Sequence, residues 1–130
     1  MEMKEMFGEF DFNDKPEAMI SEVNGMALPE DYLSFMSEHN GGEGPFGEFG
    51  YGRFYRLEEL QEVNDEYEVG KWWPGYVVIG TDCGGELWAY NPEKGTYCQI
   101  DSCNIGDDSG ETYMTISSSL EEFLIKMDEE

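Results

Sequence analysis

Two turn signals in the second half of the chain constrain its fold more than any other feature. One lies at residues 82–85 (DCGG) and the other at residues 91–95 (NPEKG). They separate three short segments with the composition of strands, at residues 76–80, 86–90 and 96–100. Because turns this short join neighbouring strands that run in opposite directions, the sequence predicts an antiparallel meander.

Two helices are predicted ahead of the meander. Asp14 has the character of an N-cap, Pro16 suits the first helical turn after it, and residues 24–25 (NG) end this first helix. The second helix opens at residues 28–31 (LPED), where acids in the first turn are favoured by the helix dipole, and it ends at residues 40–42 (NGG). Apolar side chains at helical spacing give each helix one face to bury.

The middle of the chain predicts a loop, a strand and a third helix. Residues 41–52 are rich in glycine and indicate a loop that leads into a short strand at residues 54–57. From Leu57 to Tyr67, apolar residues recur at helical spacing and acidic residues occupy the opposite side. The third helix is therefore expected to present an acidic surface to solvent.

A last helix follows a polar, acidic loop at residues 102–111. Its start fits a capping box in either of two registers, Ser118 with Glu121 or Ser119 with Glu122. Helices on either side of an antiparallel meander are typical of an α+β fold, and we expect the N-terminal, middle and C-terminal helices to pack on one face of the sheet.

The chain length suits one domain. With 130 residues that include 8 Tyr, 8 Phe and 3 Trp, the chain has enough large apolar surface to offset the ordering entropy of folding. Residues 1–15 show no clean period of 3.6 or 2, so we expect them to form a mobile or loosely docked acidic arm. Residues 16–130 are expected to form a single α+β domain.

The charge of the chain disfavours two kinds of partner and suggests a third. Its 30 acidic and 7 basic side chains give a formal net charge of −23 at pH 7, so nucleic acid and an anionic membrane surface would both repel it. This charge predicts a basic protein as partner and a monomer when the chain is free. Since no apolar run is long enough to cross a bilayer and no secretory signal is recognisable, we expect a cytoplasmic location.

Candidates for catalysis or metal binding have simpler interpretations. Asp82 and Glu86 form a possible acid and base pair, but no nucleophile, basic residue or oxyanion donor accompanies them, so a hairpin turn is favoured. Potential zinc ligands are His39, Cys83, Cys98 and Cys103. Potential calcium ligands are Asp101, Asp107, Asp108 and Glu111. Because neither set has the spacing of a known metal site, we predict no catalytic residue, metal ion or cofactor.

Three stretches, in this order and spacing, resemble the SUKH superfamily of Smi/Knr-type domains. They are residues 28–32 (LPEDY) with Phe35 and Asn40-Gly41, residues 78–86 (VIGTDCGGE) with 88–90 (WAY), and residues 118–124 (SSLEEFL). The resemblance covers about residues 16–127. It implies an α+β domain without catalytic residues, in a superfamily where many bacterial members are immunity proteins that bind and neutralise polymorphic toxins, frequently nucleases.

The resemblance and the charge together predict an immunity protein that binds a basic toxin domain. The alternative is a regulatory or scaffold module that binds another protein and has no toxin partner. Charge and aromatic content select the candidate contact residues, which are Glu58, Glu59, Glu62, Asp65 and Glu66 on the third helix, Trp72 and Trp73 after it, and Asp107 and Asp108 in the acidic loop. We expect Trp72 and Trp73 to lie in an extended segment, with one indole pointing away from the core.

Overall fold

A long antiparallel sheet organises the chain. The structure, a computed structural model, describes residues 8, 10–23, 25–47, 50–73, 75–101 and 113–129. The strands in these ranges are β1 (Asp11–Phe12), β2 (Glu22–Val23), β3 (Met26–Ala27), β4 (Gly42–Phe46), β5 (Gly50–Phe54), β6 (Val77–Thr81), β7 (Glu86–Asn91), β8 (Thr96–Asp101) and β9 (Tyr113–Ser117). The helices are α1 (Glu30–Glu38), α2 (Leu60–Glu66), α3 (Val69–Trp72) and α4 (Leu120–Glu129), and a short 3-10 helix spans Leu57–Glu59.

Seven of the strands form one sheet in the order β1-β4-β5-β6-β7-β8-β9, and every neighbouring pair is antiparallel. Strands β6, β7 and β8 coincide with the three predicted segments to within one residue at each end. The predicted meander and the α+β class are therefore confirmed. β2 and β3 pair only with each other, as a separate two-stranded sheet.

The first predicted helix is wrong, because its C-terminal part forms the β2–β3 hairpin. Glu22 pairs with Ala27 and Val23 pairs with Met26. Gly25 adopts φ +76°, a conformation that glycine reaches without steric cost. The hairpin buries Val23 almost completely, at 1% exposure. The glycine that appeared to end a helix instead reverses the direction of the chain.

The predicted loop at residues 41–52 is also wrong, because β4 and most of β5 lie there. The predicted strand at residues 54–57 is displaced, since β5 ends at Phe54 and the 3-10 helix begins at Leu57. Glycines make this hairpin possible because large rings occupy the space above them. A Cβ atom on Gly52 would overlap the indole ring of Trp88. The glycines that suggested a loop lie in strands, where aromatic rings pack directly on their backbone.

The larger core cluster lies on one face of the sheet, around Trp88. Its indole is fully buried, and its ring centre lies 5.8 Å from Phe46, 5.1 Å from Phe54 and 6.1 Å from Phe123 of α4. Such tilted and edge-on ring contacts stabilise beyond the area they bury. α1 adds Tyr32 to the same cluster.

A second cluster lies on the opposite face and includes Val78, Leu87 and Ile100. Val69 of α3 and the adjacent Trp73 pack against it, at 0% and 1% exposure. We expected every helix to pack on one face of the sheet. Instead, α3 and the adjacent Trp73 cover the opposite face.

Asp31 connects the helices on the first face to the meander. One oxygen of its carboxylate accepts a hydrogen bond of 2.6 Å from the Tyr97 hydroxyl, and the other accepts one of 2.9 Å from the backbone N–H of Leu120. Ser119 caps α4, because its Oγ accepts a hydrogen bond of 3.1 Å from the N–H of Glu122. The register of Ser119 with Glu122 is therefore the one adopted.

The end of the predicted N-terminal arm is docked on the sheet. Phe10 is 7% exposed, and β1 pairs with β4 through Asp11 and Glu43 and through Phe12 and Gly42. Residues 1–7 and 9 lie outside the described residues. The domain boundary at residue 15 stays a prediction.

Substitution of Gly52 by alanine should destabilise the fold, because its Cβ would overlap the Trp88 ring. We expect the free energy of unfolding in urea to fall by about 1–3 kcal/mol, the usual cost of overpacking a core. Gly70→Ala is the matched control, because a Cβ at this position meets no atom within 4 Å. Gly70 also lies in α3, where alanine is a better helix former than glycine. Equal stability of Gly52→Ala and the wild type would contradict the packing assigned to Trp88.

Candidate partner-binding surface

The acidic surface expected on the third helix is carried by α2. Leu60 and Asn64, four residues apart, face inward and are buried. Glu62, Asp65 and Glu66 are exposed. We call these three residues the acidic face.

Asn64 holds α2 against the sheet. Its amide donates hydrogen bonds to the carbonyls of Leu60, at 2.8 Å, and Val78, at 3.0 Å. Its Oδ1 accepts a hydrogen bond of 2.8 Å from the N–H of Val78. Buried hydrogen bonds of this kind are costly to break because the freed groups have no water to replace them. The acidic face therefore stands on a helix with a defined position.

The other two acids predicted on this helix have local partners in the fold. Glu58 accepts hydrogen bonds of 2.8 and 3.1 Å from the Asn40 amide, and these bonds lower the pKa of the Glu58 carboxyl. Glu59 accepts a hydrogen bond of 3.1 Å from the N–H of Arg56, at the start of the 3-10 helix. Both residues thus have a structural role in addition to their charge.

Trp72 lies in α3 rather than in an extended segment, so that part of the prediction is wrong. Glu68 adopts φ +51°, after which α3 forms and ends at Trp72. Trp73 is 1% exposed and belongs to the core. Trp72 is half-buried, its indole N–H lies 3.2 Å from a Glu68 oxygen, and the Lys71 ammonium lies 4.6 Å from its ring centre. The Trp72 indole, which is the less buried of the two, thus already contacts Glu68 and Lys71.

Asp107 and Asp108, the candidates in the acidic loop, lie outside the described residues. So do Cys103 and Glu111, which belong to the two possible metal sets. Their contribution to partner binding stays a prediction.

The hairpin between β6 and β7 has the hydrogen bonds of a turn. Asp82 Oδ1 accepts from the N–H of Gly84 at 2.7 Å and from that of Glu86 at 3.1 Å. A carboxylate that accepts backbone bonds in this way stabilises a tight turn. Asp82 is therefore a turn residue, as the sequence analysis favoured.

The described members of the zinc set have separate surroundings. His39 stacks on Phe12 with ring centres 4.2 Å apart, Cys98 is buried in the second cluster, and Cys83 is exposed. Within the described ranges, no three His, Cys, Asp or Glu residues are grouped so that they could hold a metal ion.

Sequence reasoning missed three tyrosines, which we call the tyrosine row: Tyr51 of β5, Tyr55 just after β5 and Tyr67 at the end of α2. Tyr51 is 47% exposed and Tyr67 is 41% exposed. The Tyr51 hydroxyl donates a hydrogen bond of 2.9 Å to Glu43, and the Arg53 guanidinium lies 5.4 Å from the Tyr55 ring centre. Burial raises the pKa of the Tyr55 hydroxyl to about 12. The alternation from Tyr51 to Tyr55 is a strand signal that the glycines around it obscured.

Comparison with known protein families identifies the family that this chain resembles. A sequence model of the SMI1 / KNR4 family (SUKH-1) matches residues 17–126 of the chain. The search of curated proteins found no match to the chain. Every helix in the described part of the chain is too short or too polar to span a bilayer.

The two described cysteines should differ in reactivity. Burial raises the pKa of the Cys98 thiol to about 12, so almost none of it is thiolate, the reactive form, at pH 8. Iodoacetamide followed by peptide mapping should therefore label Cys83 in the native protein and leave Cys98 unlabelled until urea unfolds the chain. Labelling of native Cys98 as fast as Cys83 would contradict the burial assigned to it.

Proposed function

The chain belongs to the SMI1 / KNR4 family (SUKH-1), and on that basis we propose that it is an immunity protein which binds and neutralises the toxin domain of a polymorphic toxin system. The family is known for immunity-type domains that are generally not catalytic. The family match over residues 17–126 is the observation that carries this proposal. Neutralisation by binding needs no catalytic residue in the immunity protein.

The toxin domain that we propose as partner is basic, and its activity is that of a nuclease. A net charge of −23 produces a self-repulsion that destabilises the compact state, unless a partner of opposite charge is bound. Nucleases carry lysine and arginine to bind the phosphates of nucleic acid. An acidic protein complements that surface and also competes with the substrate for it.

The acidic face is the charged part of the proposed interface. Glu62, Asp65 and Glu66 are exposed on a helix that Asn64 fixes to the sheet. Charges of this kind steer the encounter and speed association, whereas buried anchor residues slow dissociation. In this proposal the free protein is a cytoplasmic monomer, and binding covers the substrate site of the toxin.

The proposal predicts that a gene next to the one for this chain encodes a toxin domain, and that domain is the probe for the test. Expression of that domain alone should stop bacterial growth, and expression with the chain should restore it. The purified pair should form a complex of fixed stoichiometry in which nuclease activity is lost. A chain that neither binds the domain nor restores growth would contradict the proposal, and specific binding to a cellular protein instead would favour a regulatory or scaffold module.

Charge reversal separates the two acidic candidates for the interface. Asp65→Lys with Glu66→Lys should weaken toxin binding on the order of tenfold, which corresponds to about 1.4 kcal/mol. Asp107→Lys with Asp108→Lys makes the same change in net charge and should have a smaller effect. Circular dichroism should show both variants folded, and calorimetry gives the dissociation constants. A greater loss from the loop pair would place the charged contact in the loop.

A further inference from the structure

We propose that the tyrosine row is an anchor site for arginine side chains of a basic protein partner. The basic nature of the partner rests on the proposed function. The recognition chemistry, which is an arginine guanidinium on a tyrosine ring beside a carboxylate, depends only on the residues of this surface.

Two segments of the chain supply the tyrosines of the row. Tyr51 and Arg53 are exposed at alternate positions of β5 and so share one face of the sheet, and the Arg53 guanidinium lies over the Tyr55 ring. Tyr67 follows α2, and it lies near enough to Tyr55 to add, after burial, to the raised pKa of the Tyr55 hydroxyl. Glu66 of the acidic face directly precedes Tyr67 in the chain.

Exposure at this surface is unusual for side chains of this size. Among the described residues, the large hydrophobic side chains that are exposed are Met19, Tyr51, Tyr67 and Ile116. Two of the four belong to the row, whereas Trp73 is in the core. Tyrosine is enriched in binding sites because it offers a large rigid contact at low entropic cost. The anchors expected from the tryptophans are therefore better supplied by Tyr51 and Tyr67.

One ring of the tyrosine row already has an arginine over it. The Arg53 guanidinium lies 5.4 Å from the centre of the Tyr55 ring. In the described part of the chain no cation lies over Tyr51 or Tyr67.

A carboxylate stands beside the exposed ring of Tyr51, because Glu43 accepts the hydrogen bond of the Tyr51 hydroxyl. Guanidinium groups stack on aromatic rings, bind carboxylates with two hydrogen bonds and are more weakly hydrated than the lysine ammonium. The surface should therefore distinguish arginine from lysine.

The experiment uses the full chain with two peptides of equal charge, one of nine arginines and one of nine lysines. Calorimetry should show that the wild type binds the arginine peptide about fivefold more tightly, as expected for two exposed cation–π contacts. In the double variant Tyr51→Leu with Tyr67→Leu, this preference should fall below about twofold. Affinity for the lysine peptide should change little, because no charge is altered.

Two control variants show whether the rings are responsible. Tyr51→Phe with Tyr67→Phe keeps both rings and should keep most of the preference. Met19→Ala with Ile116→Ala removes exposed apolar side chains elsewhere and should leave it unchanged. Equal affinity of the wild type for the two peptides, or a preference that survives the leucine substitutions, would overturn the inference.

Failure of this inference and failure of the proposed function give different results. If the leucine variant protects against the toxin as well as the wild type does and binds it equally tightly, the anchor site is wrong and the immunity function stands. If the chain protects against no toxin but loses its arginine preference in the leucine variant, the anchor site stands and the immunity function is wrong.

Discussion

The packing of Trp88 against two glycines is the constraint on which the rest of the fold depends. The indole is fully buried, and a Cβ on Gly52 would overlap it, while one on Gly80 would lie 2.8 Å from a ring carbon. Glycine at both positions lets the ring lie against the neighbouring strands β5 and β6. Phe54 and Phe123 then pack on the indole and hold α4 to the sheet. The Trp88 side chain thus requires glycine at positions 52 and 80 of the neighbouring strands.

A few polar side chains attach the helices to this sheet. Asp31 connects the start of α1 to Tyr97 of β8 and to the first N–H of α4. Asn64 connects α2 to β6, because its side chain forms hydrogen bonds with both the N–H and the carbonyl of Val78. Hydrophobic burial supplies most of the driving force for folding but has no direction, so directional bonds of this kind are what fix the orientation of each helix. The position of the acidic face follows from them.

The candidate surface combines charges that local sequence predicts with aromatic anchors that it does not. Glu62, Asp65 and Glu66 are outward on α2 because helical periodicity puts them opposite Leu60 and Asn64. The exposure of Tyr51 and Tyr67 depends instead on which parts of the surface the other elements leave uncovered. Adjacent tryptophans in the sequence attract attention as anchors, yet one is core and the other is half-buried.

By itself the sequence determined the features that arise from short-range signals: the meander around its two turns, helices α1 and α4, the acidic surface of α2, and the motifs shared with the SMI1 / KNR4 family. Tertiary structure decided the hairpins β2–β3 and β4–β5, whose local signals are ambiguous, and the division between buried and exposed aromatics. The physical reason is that a glycine has the same local propensity in a loop and beneath a ring. Only the indole of Trp88, which is distant in sequence, makes Gly52 part of a strand.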